Sequence, residues 1–320
     1  MKHLVLALGA AALLGPRPAT AQGYPGTDIF LARFADRDSL TLDEASFTNA
    51  TARPGYDNQP QFTPDGRGLL YSSAREGQTD IFRLDLERGI AEPLTRTPES
   101  EFSPSVLPDG SGISVVRVEA DSTQRLWRFP WVGGPGAGVA GGSAAGSAAK
   151  SAGGSAAGEP RPILDLVRGV GYYAWADTHR VALFLLGTPH TLHIGDLRDG
   201  TTKLAAQDIG RSMHKIPGRN AVSFLQIEGS ARWIKEYDLA SGEIRSLAPA
   251  LEGSEDYAWT PDGRMLMAQG TILTVWNPQG EGGWEVVQGL GPLLPGKISR
   301  LAVSPDGSRL ALVVDEPAAP

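Results

Sequence analysis

Short apolar runs recur along this chain, each preceded by the same polar turn. Leu69-Leu70-Tyr71, Ile113-Ser114-Val115-Val116, Met265-Leu266-Met267 and Leu310-Ala311-Leu312-Val313-Val314 follow Pro-Asp-Gly triplets that begin at Pro64, Pro108, Pro261 and Pro305. Short β-type runs on either side of Asp-Gly predict hairpins, because glycine supplies a positive φ and proline presets the turn. The aspartates are Asp65, Asp109, Asp262 and Asp306, and the first and last pairs each lie 44 residues apart. A fixed period in the forties is that of a four-stranded propeller blade.

Two degenerate copies fill the long middle gap. Trp175-Ala176-Asp177-Thr178-His179-Arg180 lies on Trp259 to Arg264 without a gap, and Ile216-Pro217-Gly218-Arg219 precedes the apolar run Ala221-Val222-Ser223-Phe224-Leu225. Only the step from 109 to 178 then exceeds the period, and it contains residues 133–158, made almost wholly of Gly, Ala and Ser with one Lys150. Such a stretch cannot bury enough apolar surface to offset its ordering entropy, so it is expected as a flexible surface insertion within the second blade. The sixth copy has room for one strand after its turn. Thr27-Asp28-Ile29-Phe30-Leu31-Ala32-Arg33-Phe34 mimics Thr79-Asp80-Ile81-Phe82-Arg83-Leu84-Asp85-Leu86. Residues 27–48 are therefore expected to supply the outer two strands of the blade whose inner strands lie within 298–315. The fold class is all-β: a six-bladed β-propeller of four-stranded blades, closed by N-terminal strands that hide two sheet edges.

Residues 1–21 read as a secretory signal. Lys2 and His3 precede the apolar run Leu4 to Leu14, too short to span a bilayer, and Ala19-Thr20-Ala21 fits a small-x-small cleavage site. The propeller then occupies 22–320, and the expected location is the periplasm or the exterior of a Gram-negative-type bacterium. The sequence has no cysteine to carry a lipid or a disulfide, and no second run is apolar and long enough to cross a membrane. The net charge is −7 and becomes −9 once Lys2 and Arg17 leave with the signal. A nucleic-acid partner would want a basic face, so none is expected.

The pattern Pro60-x-Phe62-Thr63-Pro64-Asp65-Gly66-Arg67-x-Leu69-x-Tyr71, with Asp80-Ile81-Phe82-x-Leu84-Asp85-Leu86 and Pro93-Leu94-Thr95, resembles the WD40-like repeat of TolB. It is crisp in the first blade and weak in the third and fourth. The resemblance implies a periplasmic propeller of the cell-envelope Tol–Pal system, whose partners include the lipoprotein Pal. TolB proteins also carry an N-terminal α/β domain, which this sequence does not show ahead of its first strand. The same repeat occurs in prolyl-oligopeptidase-type peptidases and some polysaccharide lyases, so the fold alone does not fix a function.

Candidate chemistry is sparse. A Gly-x-Ser-x-Gly nucleophile elbow is missing, and Gly142-Ser143 and Gly154-Ser155 lie in the Gly/Ala/Ser stretch. His190 and His193 are three apart beside a strand, which points them to opposite faces and away from one shared metal ion. No catalytic residue, metal site or cofactor is expected. What remains is a surface, where the loops entering the inner strands gather around the channel. The binding candidates there are Tyr56, Asp57, Glu101, Tyr172, Tyr173, His214, Asp256, Tyr257 and Arg300. Tyr172-Tyr173 and Asp256-Tyr257 occupy matched positions, and tyrosine gives amphipathic contact area at low entropy cost. The same tyrosines could instead pack the inner strands. The expected role is a monomeric, non-enzymatic scaffold for an envelope protein or peptide, Pal-like or other. The alternatives are a carbohydrate or small-ligand site in the channel, lyase-type included, and an accessory or sensor module for a separate enzyme.

Overall fold

The computed structural model describes residues 24–131 and 159–317; the signal stretch 1–21 and the Gly/Ala/Ser stretch 133–158 lie outside the described residues. Strands β1 (Thr27–Asp36) and β2 (Thr41–Asn49) come first. The first blade follows as β3 (Asp57–Phe62), β4 (Gly68–Arg75), β5 (Gln78–Asp85) and β6 (Ile90–Pro93), and the second as β7 (Ser100–Val106), β8 (Gly112–Val118), β9 (Gln124–Pro130) and β10 (Arg161–Pro162). The third is β11 (Val170–Trp175), β12 (Arg180–Leu185), β13 (Thr191–Asp196) and β14 (Thr201–Gln207), and the fourth β15 (Ile209–Lys215), β16 (Ala221–Glu228), β17 (Ala231–Asp238) and β18 (Ile244–Pro249). The fifth is β19 (Tyr257–Trp259), β20 (Met265–Gln269), β21 (Ile272–Trp276) and β22 (Glu285–Gly289). The chain ends in β23 (Ile298–Val303) and β24 (Arg309–Asp315). Five sheets run in sequence order, and the sixth has the order β2-β1-β24-β23. The N-terminal strands thus complete the last blade: β1 pairs antiparallel with β24 from Thr27 opposite Asp315 to Arg33 opposite Arg309.

The recurring turn has a common chemistry. Gly66, Gly110, Gly263 and Gly307 all take positive φ, which the sequence pattern predicts. In the first copy the Thr63 hydroxyl accepts from the Gly68 amide at 2.8 Å and donates to Asp65 Oδ1 at 2.5 Å, and Asp65 Oδ1 accepts the Arg67 amide at 3.1 Å. Thr260 with Asp262, and Ser304 with Asp306, repeat the hydroxyl–carboxylate contact. In the degenerate third copy no glycine is needed, because Asp177 Oδ1 accepts from the amides of His179 (2.8 Å) and Arg180 (2.7 Å). Thr63 is buried, so Thr63→Val leaves the Gly68 amide and Asp65 without that partner. A loss of roughly 1–2 kcal/mol is expected in urea-induced unfolding, and an unchanged midpoint would argue against this role.

The core lies between blades, where the two faces of each sheet meet their neighbours. Phe62, Leu69 and Tyr71 of the first blade pack with Ile29, Ala311 and Val313 of the sixth, while Phe30, Leu310, Leu312 and Val314 pack with Leu266 and Leu273 of the fifth. This is the alternation expected of sheets buried on both faces.

The inner strands of the first two blades start at Asp57 and Ser100 and are irregular along their length. Register shifts fall between Asn58 and Gln61, between Phe102 and Ser105, and between Ile298 and Arg300. Gln59 and Ser103 sit there in left-handed backbone, at φ 57° and 51°. The conformation is held by side chains: Gln59 Oε1 accepts from the Ser72 hydroxyl and the Ser103 amide, both at 2.7 Å. These bulges turn Gln59, Ser103 and Arg300 towards the central channel, where all three line its wall.

Candidate functional site

The six inner strands enclose a channel cavity of about 530 Å³. Its wall runs from the level of Tyr172, Arg211, Asp256 and Arg300 to Pro217, Pro261 and Pro305 at the end that carries the Pro-Asp-Gly turns. A second cavity of about 260 Å³ lies towards the strand-entry end and shares Arg211, Asp256, Arg300 and Leu301 with the first. The shared residues therefore form a partition between the two cavities.

That partition is a charged bar. Arg211 places Nε (3.0 Å) and Nη2 (2.7 Å) on Asp256 Oδ2, a two-point fork. Arg300 reaches Asp256 Oδ1 with Nη1 at 3.3 Å and donates from Nη2 to the Tyr172 hydroxyl at 3.2 Å. Arg300 belongs to the sixth blade and Tyr172 to the third, which stands opposite it in the ring. The guanidinium also lies 5.2 Å from the Tyr172 ring centroid. Beside the bar, His214 approaches the Ser212 hydroxyl at 3.2 Å and packs edge-on against Tyr257. Burial pulls its pKa down to about 4, so its imidazole is neutral near pH 7.

Five of the nine residues singled out from the sequence line this cavity: Tyr172, Tyr173, His214, Asp256 and Arg300. The other four do not line it, although Tyr56 lies near enough to Arg300 to interact with its charge. Tyr56 precedes β3, with its ring 5.1 Å from Tyr24, which in turn meets Phe102 edge-on. Burial pushes the Tyr56 hydroxyl up to about 12. Asp57 is buried against Arg53 at 3.0 Å, and burial raises its carboxyl. Glu101 is fully buried under the Thr97 hydroxyl at 2.5 Å. Tyr257 is also fully buried, its hydroxyl 2.8 Å from Ser223 Oγ of the preceding blade.

Tyr173 lines the cavity, but its hydroxyl is spent inside the protein. It donates to the Ser114 carbonyl at 2.6 Å and lies 2.9 Å from Ser114 Oγ. Trp175 and Trp259 send their indole N–H groups to the same two serines, Ser114 and Ser223, at 2.8 Å each. The matched tyrosines thus staple each blade to its predecessor. The repeat Tyr-Ala-Trp at Tyr173 and at Tyr257, with a serine in the second strand of the blade before, is the signal that marks them as packing residues. Arg211 was not anticipated; a charged residue inside the short strand Ile209-Gly210-Arg211-Ser212-Met213 is the available sign.

Glu101 carries a pH dependence. Burial raises its pKa to about 7, above the ordinary glutamate value, against the pull of Thr97 and of Arg117 at 3.5 Å. One of its oxygens has no hydrogen-bond partner among the described residues. The folded protein keeps this proton where the unfolded chain has released it. The contribution to stability is therefore complete below pH ~4.3 and lost as pH rises through about 7. Glu101→Gln removes the titration. Its stability relative to the parent, read from urea unfolding, is expected to increase by up to ~3 kcal/mol between pH 5 and pH 8. A constant difference across that range would refute the assignment.

No family model matches the sequence. Among curated proteins, an uncharacterised protein of Agrobacterium fabrum is 29% identical over 83 residues, covering 26% of this chain and 28% of that protein. The Tol-Pal system protein TolB of Bordetella pertussis is 44% identical over 41 residues, covering 13% of this chain and 9% of its own length. The matched parts are thus well under a third of either relative. Among solved structures, a candidate TolB protein from Agrobacterium tumefaciens superposes with a TM-score of 0.67 at 14% identity, covering 92% of this chain and all of its own. TolB from Acinetobacter baumannii gives 0.50 at 13% identity, with 90% and 65% covered. An oligogalacturonate lyase in complex with manganese gives 0.54 at 13%, with 91% of both chains covered. Identities this low carry the fold alone.

Proposed function

Starting from a six-bladed propeller with the fold of TolB, we propose that this chain is an exported, non-enzymatic scaffold of the bacterial cell envelope. It acts in the periplasm after cleavage near Ala21 and binds a protein or peptide, such as a Pal-like envelope protein, in its channel. The observation that carries this reading is the channel cavity itself. It runs from the charged bar to the prolines of the turns, one side offers amide and hydroxyl groups from Gln61 and Ser105, and the other offers Ala258, Ala302 and Trp259. An extended peptide needs both kinds of surface, hydrogen-bonding groups for its backbone and apolar contact for its side chains. The matches to TolB proteins in fold and in one short segment agree with it.

The rival reading is a lyase-type site, given the manganese-bound lyase among the similar folds. A metal in this channel would draw on Asp256 and His214. Asp256 is already held by two guanidiniums, and their charge opposes a cation there.

The test uses a tagged full-length chain in the cell that makes it, with a photo-crosslinking residue at Gln61 or Ser105. A protein adduct is expected from both positions and not from the outer-strand position Ile244. Adducts on sugar alone, or the same adducts from Ile244, would overturn the scaffold reading.

A further inference from the structure

Arg300 is a nearly buried cation with hydrogen-bond donors to spare. Its side chain is 15% exposed. Of its five N–H donors, one meets Asp256 at 3.3 Å and one the Tyr172 hydroxyl at 3.2 Å. Asp256 is committed more tightly to the Arg211 fork. Two guanidiniums therefore share one carboxylate, and the neighbouring His214 is neutral near pH 7. Glu255 stands 3.8 Å from Arg211 and 3.9 Å from Arg232, but it is 40% exposed and its charge is screened and balanced by Arg232. Among the described residues, the partition thus carries one uncompensated positive charge against a cavity of about 530 Å³. A buried cation in this state is costly until an anion meets it.

The geometry defines the anion. A guanidinium fork with open donors matches a planar carboxylate better than a point charge would. At the partition one net positive charge suits a single carboxylate, because a second negative charge there would face Asp256; Lys215, which donates to the Ala176 carbonyl, is a further cation on the cavity wall. The Tyr172 hydroxyl accepts from Arg300, which leaves its own hydrogen free to donate alongside. The body of the ligand would then lie along the channel, between the Gln61–Ser105 side and the Ala258–Trp259 side, towards the ring of Pro217, Pro261 and Pro305.

We propose that Arg300, with Tyr172 as second donor, receives the C-terminal carboxylate of a peptide that enters the channel from its turn-bearing end. This rests on the reading of the channel as a peptide site and names the chemical group it selects.

The test uses the mature full chain and a random tetrapeptide library in two forms, free acid and C-terminal amide, with retained peptides measured by mass spectrometry. Free-acid peptides are expected to be retained, with their amides bound about 10- to 100-fold more weakly. Arg300→Gln should abolish the preference. Arg300→Lys, which keeps the charge, should weaken binding about tenfold by losing the fork, and Tyr172→Phe should weaken it several-fold while leaving the fold intact by circular dichroism. Equal retention of acid and amide forms overturns the carboxylate anchor and leaves the peptide reading standing. Retention of trigalacturonate in place of any peptide, dependent on Arg300, moves the anchor to a sugar acid and overturns the assignment. No retained peptide together with a protein adduct at Gln61 overturns the anchor alone, and the absence of both overturns the scaffold reading as well.

Discussion

A chain lacking residues 24–49 is expected to lose its cooperative unfolding transition and to self-associate. Strand β1 hydrogen-bonds to β24 over seven residue pairs, and it also supplies side chains to two separate cores. Ile29 faces the first blade, among Phe62, Leu69 and Tyr71, while Phe30 and Ala32 face the fifth. Removing the strand therefore opens both flanks of the sixth blade and leaves β24 as a long apolar edge, which is a template for pairing with another chain. A milder form of the experiment is Ile29→Ala. Ile29 is fully buried, so the loss should be about 2–5 kcal/mol, a large share of the ~5–15 kcal/mol that holds a typical domain together. Tryptophan-monitored urea unfolding reads both variants. A midpoint within error of the parent for Ile29→Ala would mean that the ring is not closed through this strand.

That closure was legible because it depends on local features that the sequence displays. The Asp-Gly turns mark the hairpins, their 44-residue period marks the blade, and the likeness of residues 27–34 to residues 79–86 marks β1 as a displaced third strand. The bulges were not legible. Gln59 and Ser103 adopt left-handed backbone that neither residue type announces, and what holds them is a contact within the first blade, from the Ser72 hydroxyl to Gln59, together with one between blades, from the Ser103 amide to Gln59. The bulges also decide which side chains reach the channel. Arg300 and Tyr172 were readable as residues near its mouth, but their meeting across the ring, between blades that are 128 residues apart in sequence at that contact, was not. Asp57 and Glu101 stand two residues before the channel-lining Gln59 and Ser103, and because the bulges break the strand alternation there, both are buried instead.

Tyr257→Ala is expected to cost about 3–5 kcal/mol of folding stability, the range for emptying a large aromatic site in a core. The ring is wholly buried beside Leu225, Ile234 and Met267 of the fourth and fifth blades, and its hydroxyl meets Ser223 Oγ at 2.8 Å. Tyr257→Phe keeps the ring and removes only that contact. Ser223 Oγ retains the Trp259 indole at 2.8 Å, so the expected cost is only about 1 kcal/mol. The pair of variants separates two roles that look alike from outside. If the tyrosine contributes by packing, Phe at 257 retains the carboxylate-selective binding ascribed to Arg300 and lowers the thermal midpoint slightly, while Ala lowers the midpoint severely. If its hydroxyl instead contacts a ligand, Phe at 257 loses binding at unchanged stability. The same logic makes Tyr172, whose hydroxyl bonds to Arg300 in the channel, the tyrosine whose Phe variant reads function. Phe at 173 reads the staple to Ser114.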